Sequence, residues 1–233
     1  MWKTVAFVAL TILAGGTGFG QKTDLAASYY HFSLARIYEL NEEFSKAIDQ
    51  YDMAIQANPE SIALRVEYSK ALWMTQEIAK AVEECKKAIE MDPESIEANH
   101  LLGKIYFNYR QQGDMDDKAL EQFAKVLELD PDHVESLFDS AQIELKNRNY
   151  EKAAEYFGRV RQLDPTSVSA YYYGGQALIA INQKDEAIEV LEEGLPFSRR
   201  HPDYLILLGR LYDEIGENSK AAEIYRLGLE QSP

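Results

Sequence analysis

Four prolines set the organisation of this chain. Pro59 and Pro93 stand 34 residues apart, as do Pro131 and Pro165, and the interval from Pro93 to Pro131 is 38, four residues longer. Each follows Asn or Asp (Asn58, Asp92, Asp130, Asp164), a pair that starts a turn and ends the preceding helix. Ten residues after each proline comes a small side chain: Ser69, Gly103, Ala141, Gly175. A fixed period of this length marks an array of identical supersecondary units.

Six units share the pattern. Alanine recurs at Ala47, Ala81, Ala119, Ala153, Ala187 and Ala221. Four residues later stands a bulky or apolar group (Tyr51, Cys85, Phe123, Phe157, Leu191, Tyr225). Three further on is a small or β-branched one (Ala54, Ala88, Val126, Val160, Gly194, Gly228). Steps of four and then three return to one face of a helix, so these residues mark the buried stripe of a second helix in each unit. Small residues on both helices let their backbones approach, and the ring fills the volume beside that contact.

This pattern resembles the tetratricopeptide repeat (TPR) family, whose signature is small residues at places 8, 20 and 27, a large one at 24 and proline at 32. The resemblance covers residues 28–233 and implies an all-α, right-handed superhelical solenoid of six helix-turn-helix repeats. Their bounds are 28–61, 62–95, 96–133, 134–167, 168–201 and 202–233. Representative helices are expected over residues 28–41 with 44–57, and 202–215 with 218–231. Such a repeat cannot bury its stripe alone, so neighbours must stack. Three departures stand out: Arg199 replaces the proline at place 32 of the fifth repeat, Glu144 occupies the usually apolar place 11 of the fourth, and the third carries extra residues within 109–117. The chain ends at place 32 of the sixth repeat without a polar capping helix, which leaves Leu227 and Leu229 expected at an exposed end.

Residues 1–20 read differently. Lys3 precedes an apolar stretch over residues 4–14, and a glycine-rich segment over 15–20 leads to polar Gln21 and Lys22, with residues 21–27 as a short linker. One basic residue, a short apolar core, and Gly18 and Gly20 at −3 and −1 describe a secretory signal peptide. Cleaved signal, uncleaved membrane anchor and buried core helix all remain open. Either of the first two makes the chain extracytoplasmic, periplasmic or secreted, anchored to the inner membrane by residues 4–20 only if the segment is retained. With a single cysteine, Cys85, the chain has no intramolecular disulfide, no CxxC site and no lipoprotein anchor; the repeat places Cys85 in the core.

Chemistry is scarce. His31, His100, His133 and His201 fall in no metal-binding spacing, and Asp114, Asp116 and Asp117 lack the calcium-loop pattern. No nucleophile elbow or phosphate loop occurs, so the expectation is a non-enzymatic protein with no metal and no cofactor. A net charge of −15 argues against nucleic acid as a partner.

The TPR resemblance further implies that first helices line a concave groove, with places 2, 5, 9, 12 and 13 facing it. Place 9 holds Arg36, Lys70, Lys104, Gln142, Gln176 and Arg210, all hydrogen-bond donors in an acidic chain. Place 5 holds Phe32, Val66, His100, Phe138, Tyr172 and Ile206. Place 12 adds Trp73, Phe107, Leu145 and Ile179. Two readings remain open: a donor ladder between apolar shelves that binds peptides, or cations that pair with acids such as Glu39 or Glu135 and rings that belong to the core. The chaperone-binding carboxylate clamp of some TPR proteins needs Lys and Asn where Phe32 and Arg36 stand, so that ligand is not expected. The expected function is an exported scaffold or adaptor that binds segments of partner proteins, with roles in envelope assembly or secretion. The alternatives are self-association through residues 218–233 and a regulatory domain of a longer enzyme.

Overall fold

The computed structural model describes residues 23–109, 114–198 and 201–230. The expected signal segment, residues 1–20, lies outside them. The described residues form twelve helices and no strand: α1 Leu25–Leu40, α2 Phe44–Ala57, α3 Ile62–Met74, α4 Ile78–Met91, α5 Ile96–Asn108, α6 Met115–Leu129, α7 Val134–Lys146, α8 Tyr150–Leu163, α9 Val168–Ala180, α10 Lys184–Ser198, α11 Pro202–Glu214 and α12 Asn218–Leu229. The chain divides into two compact units, Met1–Lys125 and Val126–Pro233. The first holds the helix pairs α1/α2 and α3/α4 with α5 and most of α6. The second holds α7/α8, α9/α10 and α11/α12. Within each unit the second helix of one pair packs against the first helix of the next, as in α2 on α3 and α8 on α9.

The recurrent small residues are where the helices nest. Places 8 and 20 are buried in all six repeats, and so is the large side chain at place 24 in the first five. A Cβ on Gly103 would stand 2.6 Å from the Phe123 ring, and one on Gly175 would stand 3.0 Å from Leu191. Only small residues admit these side chains so close. Phe123 and Phe157 are fully buried, worth roughly 3–5 kcal/mol each against truncation.

Both kinds of turn are built from the chain's own polar groups. Between pairs, Asp92, Asp130 and Asp164 accept from the backbone two residues on (3.0, 3.2 and 3.0 Å), an Asx turn around the proline. The next helix is then capped: Ser61 accepts from Leu64 N and Ser95 from Ala98 N, both at 3.3 Å. Within pairs, the first helix ends on a left-handed residue at place 15: Glu42, Gln76, Arg148, Asn182 and Gly216, with φ between 60° and 80°. The following amide bonds back to the carbonyl at place 11, as in Glu43 N to Tyr38 O at 2.8 Å and Asn149 N to Glu144 O at 2.8 Å. This is a Schellman closure.

The departures from the repeat have local explanations. Glu144 is buried, yet Asn149 Nδ2 donates to it at 2.6 Å and Lys152 Nζ lies 3.6 Å away, so its carboxylate is compensated. At the fifth repeat, where proline is missing at place 32, Pro202 opens α11 and the buried Tyr204 hydroxyl donates to Leu191 O at 2.6 Å. The extra residues of the third repeat fall between α5 and α6. Helix α1 starts three residues before its expected first residue because Asp24 caps it, accepting from Ala27 N at 3.0 Å. Cys85 is buried, and that burial pushes its thiol pKa up to about 12, as suits an inert core residue.

At the C-terminal end the expected exposure holds for one leucine. Leu229 is 74% exposed, whereas Leu227 is half-buried against the core of the second unit.

Candidate functional site

The place-5 residues divide by depth. Phe32 and Val66 are core, 1% and 4% exposed. Phe32 packs against the Tyr51 ring at 6.1 Å. His100 is half-buried against Phe123. In the second unit Phe138 and Tyr172 are half-buried and Ile206 is exposed. Phe138 meets Phe157 edge-on at 5.7 Å, and Tyr172 meets Tyr173 edge-on at 5.3 Å. Trp73, Phe107, Leu145 and Ile179 are each half-buried.

The place-9 residues differ between the units. In the first, Arg36 pairs with Glu39 one turn along α1 and with Glu67 on α3 at 3.5 Å. Lys70 pairs with the same Glu67 at 2.6 Å. Burial opposes the Arg36 charge, but Tyr51, Glu39 and Glu67 outweigh it and hold its pKa above the usual value. Burial raises the pKa of Glu39, with Arg36 working against that rise. Burial, with Glu39 beside it, also pushes the Tyr51 hydroxyl far above the usual phenol range. Lys104 is half-buried and itself engaged. In the second unit Gln142 and Gln176 are half-buried and Arg210 is exposed.

Glu67 is the residue that sequence reasoning missed. It sits at place 6, outside the places the resemblance assigns to the groove, yet it holds two of the ladder's cations. The signal was present: Glu67 lies three residues before Lys70 on one helix, a spacing that brings side chains together.

Three recesses open on these surfaces. One of about 470 Å³ lies in the first unit between α3 and the start of α5, lined by residues of places 2, 5 and 9, among them Ala63, Val66 and Lys70. A second of about 200 Å³ in the other unit is walled by Tyr172, Tyr173 and Tyr204 with His201 and Asp203. A third of about 270 Å³ lies at the last helix pair, lined by Pro202, Leu205, Ile206, Tyr225, Gly228 and Leu229. Among the described residues no group of His, Cys, Asp or Glu is placed to hold a metal ion. No described helix is long and apolar enough to cross a membrane.

One tetratricopeptide-repeat family model matches residues 34–96 and 108–168, more than half of the chain; two others of the same description match 144–211 and 202–233. The chain belongs to the tetratricopeptide-repeat family. No curated protein matches its sequence. Among solved structures it is similar to YrrB, described as a TPR protein with an unusual peptide-binding site, at 21% identity and a TM-score of 0.68, covering 78% of this chain and 92% of that one. It is also similar to MamA protein, at 19% identity and a TM-score of 0.66, covering 76% and 95%. A MamA chain from Desulfovibrio magneticus RS-1 matches at 21% identity and a TM-score of 0.64, covering 73% and 94%. At these identities the likeness is one of fold.

Proposed function

We propose that this TPR protein is a scaffold whose first helices hold segments of partner proteins, and that residues 1–20 direct it out of the cytoplasm. The observation that carries the binding reading is the 470 Å³ recess in the first unit. It has the size of a ligand site, and its lining includes Ala63, Val66 and Lys70, at places 2, 5 and 9. YrrB, a TPR protein of similar fold, has a peptide-binding site, which supports the same use of the fold here. The export reading rests on the basic residue, short apolar core and small-residue segment of residues 1–20.

The binding test is a peptide-display selection against the purified protein, followed by affinities for the parent and for Ala63→Trp, which fills the recess. Enriched peptides should lose about tenfold or more in affinity with the variant, while the helical circular dichroism stays unchanged. A selection that enriches nothing would remove the scaffold reading. For export, cell fractionation and N-terminal sequencing of the expressed chain should find it outside the cytoplasm; a purely cytoplasmic chain retaining Met1 would remove that part.

A second reading is favoured by Leu229, 74% exposed beside the 270 Å³ recess of the last helix pair. There a second copy of the chain would cover apolar surface that neighbouring repeats cover elsewhere. Light scattering across a concentration series decides it: a mass that rises with concentration in the parent and stays flat in Leu229→Lys supports self-association, and a flat parent excludes it.

A further inference from the structure

We infer that the recess of the first unit selects segments that present Lys or Arg beside an apolar side chain, a ligand polarity opposite to the one its place-9 cations suggest. This rests on the scaffold reading and names the chemistry of its ligand.

The floor of the recess is apolar, with Ile62 and Val66 from α3 and Ile96 from α5. Its charged lining is Glu67, Asp92, Glu94 and Glu97 against Lys70 alone. Lys70 and Arg36 both serve Glu67, so neither offers an uncommitted cation to an anionic ligand. Glu94 and Glu97 are exposed, and neither forms an ion pair with a described residue. Even with Arg36 counted beside Lys70, two carboxylate charges remain in excess.

One feature could have favoured an anion instead. The recess includes the start of α5, where free backbone N–H groups and the helix dipole attract negative charge. That demand is already met. Ser95 Oγ accepts from Ala98 N at 3.3 Å and Asp92 Oδ1 accepts from Glu94 N at 3.0 Å. Glu97 places a carboxylate in the first turn. Ser95 and Asp92 therefore satisfy the helix start, and Asp92, Glu94 and Glu97 line the recess. An incoming ammonium or guanidinium would meet Asp92, Glu94 and Glu97 while its neighbouring apolar side chain lay on Ile62, Val66 and Ile96. The net charge of −15 adds a long-range attraction of the same sign.

The test uses three synthetic peptides with one Leu/Ala frame, carrying Lys, Glu or Ser at the intervening positions, measured by fluorescence anisotropy against the full chain. The Lys peptide should bind about tenfold or more tighter than the Glu peptide, with the gap narrowing as salt rises. The double variant Glu94→Lys/Glu97→Lys should abolish or invert that preference and keep affinity for the Ser peptide. A control pair on exposed helix faces of the other unit, Glu155→Lys/Glu189→Lys, changes the net charge equally and should leave most of the preference. Three results overturn the inference: a Glu peptide that binds best, a preference unmoved by the Glu94/Glu97 variant, or an equal shift from both variants. In each of these the peptides still bind, so the scaffold reading survives. If none of the three peptides binds, the inference falls, and an empty display selection would then take the scaffold reading with it.

Discussion

The two units are alike where helices touch and unlike on the face of their first helices. Each nests a fully buried ring against a small residue, Phe123 on Gly103 in one and Phe157 beside Gly174 in the other. Each closes first helices on left-handed residues, Glu42 and Gln76 in one and Arg148, Asn182 and Gly216 in the other. On the first-helix face the first unit carries a charged network of Arg36, Glu39, Glu67 and Lys70, while the second presents Gln142, Gln176 and a group of tyrosines. The difference teaches that nesting fixes only the inward places of a repeat. The other places are free to diverge, so one fold carries two surfaces of different chemistry.

The likeness breaks first if the cores are unequal. Phe123→Ala and Phe157→Ala should each lose about 3–5 kcal/mol in urea unfolding, because each removes a fully buried ring. A loss below about 1 kcal/mol in one alone would show that its unit does not depend on the nested contact.

The contrast between the faces predicts a smaller effect. Glu67→Gln should cost on the order of 1 kcal/mol, and less at high salt, because it removes the charge shared by Arg36 and Lys70 at a partly exposed site. Gln142→Ala in the second unit should stay within about 0.5 kcal/mol and show no salt dependence. Equal, salt-insensitive losses would erase the distinction.

The shared turns predict the smallest change, and a gain. Glu42 and Arg148 have φ of 60° and 63°, where a Cβ is unfavourable. Glu42→Gly and Arg148→Gly should each raise stability by up to about 1 kcal/mol, one in each unit. A loss in either would mean that its side chain does more for the turn than the backbone strain costs.

Much of the fold was legible in the sequence, because nesting demands residue sizes that can be read directly. Ala35, Ala47, Ala54 and Tyr51 mark both helices of the first repeat, and all four are buried. The left-handed turns were harder to see: of the five residues that make them, only Asn182 and Gly216 belong to types that favour that conformation, whereas Glu42, Gln76 and Arg148 give no warning. The place-9 residues were legible in identity but not in pairing. Place 9 is a ladder of donors in sequence, yet whether a cation is available depends on which carboxylate can reach it. For Lys70 it is Glu67 on the same helix; for Arg36 it is Glu39 on its own helix and Glu67 on α3, and this last pairing, a relation between repeats, is the one that spacing within a repeat does not show. The depth at place 5 was hidden for a similar reason. Phe32 and Phe138 occupy the same place, one buried and the other half-exposed, because their surroundings differ.

Two glycines test the account of nesting most directly. A Cβ on Gly103 would stand 2.6 Å from the Phe123 ring, whereas one on Gly158, inside α8, would find nothing nearer than the Arg161 guanidinium at 3.8 Å. In urea unfolding Gly103→Ala should lose about 1–3 kcal/mol by overpacking, and Gly158→Ala should gain about 0.5–1 kcal/mol by stiffening the helix. Opposite signs are the predicted result. A Gly103→Ala protein as stable as its parent would contradict the close approach of α5 and α6 on which the account of nesting rests.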